Sequence, residues 1–146
     1  MPFFPKQKVV VPVDFSESSA DAILTALQMV ARPEDLHVIH VLLPLDYLSP
    51  GAMIGTYDEA SRATDAEKRM GEFLAEHGAA SCQALVKLGD PGLDITEYAN
   101  EIQADLIVIP SHGYHGVKRF LLGSVAERVI RHAHCAVLVL RRRDAE

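Results

Sequence analysis

The sequence predicts an α/β protein, a doubly wound five-stranded parallel sheet with four helices, Rossmann-like in outline. Three observations lead there. Short apolar runs rich in valine, isoleucine and leucine alternate with longer segments of helical spacing. Two of the runs, at Val9 and at Leu106, are continuously apolar, as in strands covered on both faces. Strands that alternate with helices need right-handed crossovers, and those give parallel strands.

Val9-Val10-Val11 is the first strand and leads into Pro12-Val13-Asp14. Ser16 to Ser19 offer capping hydroxyls for a helix whose apolar stripe is Ile23, Leu24, Leu27, Val30 and Ala31. Arg32 to Asp35 stop it, and Leu36 to Leu43 supply the second strand. A long connection, Pro44 to Tyr57, precedes a helix from Asp58 to His77 with Ala63, Ala66, Met70, Phe73 and Leu74 on one side, ended by Gly78. Ser81 to Leu88 alternates, with Cys82, Ala84, Val86 and Leu88 on one face, so it reads as a strand buried on one side at a sheet margin. Gly89 to Gly92 open a helix carrying Ile95, Tyr98, Ala99 and Ile102. Asp105 to Ile109 is the fourth strand, about Leu122 to Arg131 the fourth helix, and Cys135 to Leu140 the last strand. No repeat or linker divides residues 1–146, which read as one domain.

At 146 residues the chain can bury roughly two thirds of its unfolded surface. A net charge of −6 disfavours nucleic acid and anionic membrane as partners. No apolar run reaches membrane-spanning length, and MPFFPKQK lacks a signal-peptide core. Cys82 and Cys135 form no CxxC and read as inert thiols in apolar strands, which suits a reducing cytoplasm. The histidine pairs (37 and 40, 112 and 115, 132 and 134) supply no set of three or four metal ligands, so no protein metal site is expected.

The chemistry concentrates in DLIVIPSHGYHGVKRFLLGSV, Asp105 to Val125: an apolar strand, a glycine-bearing loop, then the head of a helix. Glycines let a backbone approach an anion, and the free N–H groups of a helix start hold it. In a doubly wound sheet the ligand sits at the carboxyl ends of the strands where strand order reverses. Pro12, Val13 and Asp14 after strand one, and Ser111 to Gly116 after strand four, form a site of that kind if they are neighbours. Asp14 either meets a ribose or caps the first helix. The Ser124 hydroxyl can cap the fourth helix and also donate to a phosphate oxygen.

VVVPVDFSESSADAILTAL, GDPGLDITEYANEIQADLIVIPSHG and LLGSVAERVIRHAHCAVLVL together resemble the universal stress protein family, across nearly the whole chain. ATP-binding members carry a glycine, two residues, a glycine, nine residues, then glycine and serine or threonine. Gly113, the stretch Tyr114 to Leu122, Gly123 and Ser124 match the later part. Pro110 stands where the first glycine would, and proline has no N–H to offer. The resemblance implies the strand order 3-2-1-4-5, with Pro12, Val13 and Asp14 at the adenine and ribose end and the Val41 backbone against adenine. Gly113, Gly116, Gly123, Ser124 and Val125 would bind the triphosphate, and His112 is counted among the nucleotide-binding residues, with ATP, accompanied by magnesium, as the ligand.

No Walker A loop, SGGxDS loop or HIGH motif is present, so no catalytic residue is assigned; slow ATP hydrolysis is the most that these groups suggest. Two functions stay open. One is an ATP-binding, dimeric regulatory or sensor module of the stress response. The other is a dimeric interaction scaffold without ATP, which Pro110 keeps in play. In the family's order the last strand lies at an edge, yet Ala136-Val137-Leu138-Val139-Leu140 is as apolar as a central strand. Such an edge invites pairing with its own copy, so a homodimer through this strand is expected.

Overall fold

Strand β1 (Val9–Pro12) lies in the middle of a five-stranded parallel sheet, with β2 (Leu36–Leu42) and then β3 (Gln83–Leu88) on one side. Strands β4 (Leu106–Pro110) and β5 (Ala136–Leu140) lie on the other, giving the order β3-β2-β1-β4-β5. The strand order thus reverses between β1 and β4, where Val9 pairs with Leu106 and Val10 with Ile107. This computed structural model describes residues 3–44, 58–111 and 122–141.

Four helices complete the crossovers: α1 (Glu17–Leu27), α2 (Glu59–Glu76), α3 (Pro91–Glu101) and α4 (Ser124–His132). Successive strand side chains point to opposite faces, and β1 shows the result. Val9 and Val11 join Ala22, Ile23 and Ala26 of α1 and Met70, Phe73 and Leu74 of α2. Val10 joins Ile95 and Ala99 of α3 and Ala126 and Val129 of α4 on the opposite face. Burying an isoleucine such as Ile23 or Ile107 contributes about 1.5–3 kcal/mol, so these two layers hold the sheet between them.

Helix starts follow from single residues. Ser16 accepts from the Ser19 N–H, Asp58 from Ser61 and Asp90 from Leu93, each capping the helix after it. Pro91 fills the first position of α3, where no N–H is needed. Gly78, at φ 69°, ends the segment after α2 in a conformation that glycine adopts without strain.

Several sequence expectations are corrected. Helix α1 stops at Leu27 rather than near Ala31; Leu24 is 46% exposed and Ala31 is exposed, because the buried stripe runs through Ala22, Ile23 and Ala26 instead. Strand β3 is marginal, as expected, but not one-sided. Val86 packs toward α2 while Leu85 packs toward α3, and Ala84 and Leu88 are exposed. Asp105 lies outside β4 and caps the segment before β1, its carboxylate accepting from the N–H groups of Gln7 (3.0 Å) and Lys8 (3.2 Å). Leu122, exposed, precedes α4 rather than beginning it. Cys82 and Cys135 likewise stand just before β3 and β5 rather than within them.

Candidate functional site

The carboxyl ends of β1 and β4 lie side by side, and three consecutive residues after β1 are each held by a different device. The Val13 N–H donates to the Ile39 carbonyl at 2.8 Å. The Val13 carbonyl lies 2.7 Å from Nδ1 of His40. Asp14 is clamped by Ser19: its N–H donates to Ser19 Oγ at 2.9 Å, and its Oδ1 accepts from that same hydroxyl at 2.7 Å and from the Ser16 N–H at 3.0 Å. Asp14 therefore helps build the start of α1, one of the two roles open to it from the sequence. Phe15 sits at φ 67°, a left-handed conformation that costs a bulky residue about 1 kcal/mol or more. Its ring is fixed between His40 (4.5 Å between centroids), the Arg69 guanidinium (4.5 Å) and, edge-on, Phe73 (5.4 Å).

At the end of β4, Pro110 pairs with Leu140, and the buried Ser111 continues the ladder by donating its N–H to the Leu140 carbonyl at 2.8 Å. The Ser111 carbonyl accepts the Gly123 N–H at 2.6 Å. That bond ties the start of α4 to the carboxyl end of β4, next to β1. The N-cap of α4 is Gly123, which has no side chain, and Ser124 is the first helical residue, so Ser124 is not the cap that the sequence suggested. Among the described residues, the N–H groups that begin α4 have no N-cap side chain of the kind that α1, α2 and α3 each possess. Ser124 is exposed and Val125 half-buried. Gly123, at φ −65°, has a torsion open to any residue, so a need for glycine there is a matter of access.

Of the residues singled out in the sequence, Pro12, Val13 and Asp14 follow one another at the end of β1, and Val41 lies on the adjacent β2. Gly123, Ser124 and Val125 stand at the head of α4. His112, Gly113 and Gly116 lie outside the described residues. Among the described residues no group of three His, Cys, Asp or Glu could hold a metal ion, and no helix is long and apolar enough to cross a membrane. Burial pushes both thiols, Cys82 and Cys135, above their ordinary value, which makes them poor nucleophiles.

The model of the universal stress protein family matches residues 6–141. The chain belongs to the universal stress protein family. A universal stress protein of Methanocaldococcus jannaschii is 32% identical over 146 residues, covering 96% of this chain and 85% of its own. Hypothetical protein MJ0577, a solved structure, superposes with a TM-score of 0.76 at 25% identity, covering 95% of this chain and 99% of the other. A universal stress protein solved in complex with cAMP superposes with a TM-score of 0.64 at 24% identity, covering 95% and 99% of the two chains, a likeness of fold.

Sequence reasoning missed His40, Ser19 and Arg69 in this universal stress protein site. The sequence offers His40 as a solvated or packed histidine with no ligand role. Packed it is, but against the site, and burial lowers its pKa. No local signal could assign it, since its partner Val13 lies 27 residues away. Ser19 was legible only as one of three serines able to start a helix; Ser16 does the capping, and Ser19 turns back to Asp14.

Proposed function

We propose that this chain is a nucleotide-binding module of the stress response, taking one ATP at the carboxyl ends of β1 and β4 and working as a homodimer joined through β5. The observation that carries the reading is the start of α4, capped by a glycine with no side chain and tied by Gly123 to the end of β4 beside the fixed Val13-Asp14 turn. That start offers N–H groups and the positive end of a helix dipole to phosphate. Pro12, Val13, Asp14 and Val41 form the base and ribose end. Ser124 and Val125, with His112, Gly113 and Gly116 from the preceding loop, form the phosphate end. With no cluster of metal-binding side chains among the described residues, magnesium arrives coordinated by the phosphates themselves. The family relative solved with cAMP supports an adenine nucleotide as the ligand class. The cytoplasm is the compartment that two unpaired thiols suit.

A second reading has its own observations. Pro110 lacks an N–H, and the Gly123 N–H is already given to Ser111. Both subtract donors from the phosphate end, and a dimeric scaffold without ATP is the function that would remain.

Titration calorimetry of nucleotide-free protein with magnesium ATP, and separately with cAMP, divides the two. Saturation near one ATP per chain, lost in Gly123→Val because the isopropyl group blocks the approach to α4, is the expected result. No heat from either nucleotide at several temperatures would leave the scaffold.

A further inference from the structure

We propose that His40 is a positioning residue for the base end of this site: by taking the Val13 carbonyl it keeps the backbone edge of Val41 open for a purine. The inference rests on the nucleotide reading above and adds to it a residue that sets where the base can bind.

In a parallel ladder, alternate residues turn both backbone groups to the same neighbour. Ile39 faces β1, because its carbonyl accepts the Val13 N–H at 2.8 Å. Val41, two residues on, faces the same way, and the next rung would be its N–H on the Val13 carbonyl. Among the described residues that rung is not formed. The imidazole of His40 takes its place, with Nδ1 at 2.7 Å from the oxygen. A carbonyl only accepts, so Nδ1 carries the proton, and the neutral ring keeps its lone pair on Nε2.

The rest of the environment holds this arrangement. Phe15 packs on the imidazole and is itself covered by Arg69 and Phe73. On its other side β2 continues against β3, with Val41 beside Lys87 and Leu42 beside Leu88. Val41 is therefore kept extended by β3 while its N–H and C=O face the space past the end of β1. One donor and one acceptor side by side match the amino group and adjacent ring nitrogen of adenine. Without the imidazole, the Val13 carbonyl is left unpaired beside the Val41 N–H, and closing that rung removes the edge that the base would use.

One measurement on the wild type and two variants decide the matter. In wild-type protein, nitrogen-15 NMR of the imidazole is expected to show the Nδ1–H tautomer for His40. His40→Phe keeps an aromatic ring but no donor and is expected to weaken ATP binding about tenfold or more, the scale of leaving a buried acceptor unpaired. His40→Asn keeps an N–H near the position of Nδ1 and is expected to bind within about threefold of wild type. An Nε2–H tautomer, a His40→Phe protein that binds like wild type, or equal losses in both variants would each overturn the proposal. If wild-type protein takes up no nucleotide, the nucleotide reading fails instead. The tautomer, and hydrogen exchange at the Val41 amide in His40→Phe and in His40→Asn, then still decide whether His40 holds this edge open: slowed exchange in Phe alone supports it, no difference overturns it.

Discussion

A single hydroxyl shows how much of the site depends on one atom. Ser19 is buried, and its Oγ both accepts from the Asp14 N–H and donates to Asp14 Oδ1. Water cannot replace a hydroxyl enclosed at 2% exposure without rearrangement, so Ser19→Ala takes from half-buried Asp14 both the acceptor of its N–H and one donor to its Oδ1, which keeps the Ser16 N–H. The expected cost is about 1–3 kcal/mol in urea unfolding, with an unchanged m-value. A conservative Ser19→Thr would recover part of it if the extra methyl is accommodated. A loss under about 0.5 kcal/mol for Ser19→Ala would mean that the clamp contributes little beyond its geometry. Residues of this kind were the least legible from the sequence. Asp14 could be marked as either a ligand or a cap, but Ser19 and His40 acquire their roles only when α1 and β2 fold back on the end of β1. Hydrophobic periodicity says nothing about where a side-chain oxygen or ring nitrogen will point.

Elements were far easier to read than their ends. Buried strands and amphipathic helices announce themselves over many residues, so all five strands and four helices lie where the periodicity puts them. The ends depend on one or two capping contacts. α3 begins with a reciprocal pair: Asp90 caps Leu93, while Asp94 Oδ2 accepts from the Asp90 N–H at 2.7 Å and its Oδ1 meets Lys87 Nζ at 3.3 Å. Gly89 makes room for this, since a Cβ there would collide with the Asp94 carboxylate. Gly89→Ala is therefore expected to displace Asp94 and cost about 1–2 kcal/mol, the scale of a lost helix cap. Thermal unfolding followed by circular dichroism reads it, and Gly89→Ala in an Asp94→Ala background should cost markedly less. Equal costs in the two backgrounds would show that the collision is not what makes Gly89 necessary. The sequence displayed Gly89-Asp90-Pro91-Gly92 plainly as a helix opening. By contrast, Gly123-Ser124 reads as a cap in sequence and is none in the fold, because Ser124 enters the helix one position too late.

At the scale of the molecule, the open question is the edge formed by β5. Its pairing with β4 runs from Leu106 with Ala136 to Pro110 with Leu140. The Leu140 carbonyl accepts from Ser111, so Leu140, Leu138 and Ala136 turn their backbone groups inward to β4. Val137 and Val139 must then turn theirs outward, to a margin that no described strand covers. Their side chains are committed elsewhere, packed half-buried over α3 and α4, while Leu138 and Leu140 pack on the opposite face. Side-chain burial thus explains why β5 is apolar without needing a partner, but it leaves two outward N–H groups in an apolar edge strand, which natural proteins seldom expose. A second copy pairing through this edge would satisfy them. Sedimentation equilibrium is expected to give twice the 16.0 kDa chain mass for the wild type. Val139→Pro deletes an outward N–H without touching the ladder to β4, and an edge strand is where a fold tolerates proline. It should shift the mass toward 16.0 kDa while the helical circular dichroism remains. A wild type already at the single-chain mass, or a folded Val139→Pro that stays dimeric, would remove β5 as the interface. The apolar edge would then owe its composition to the two cores beneath it alone.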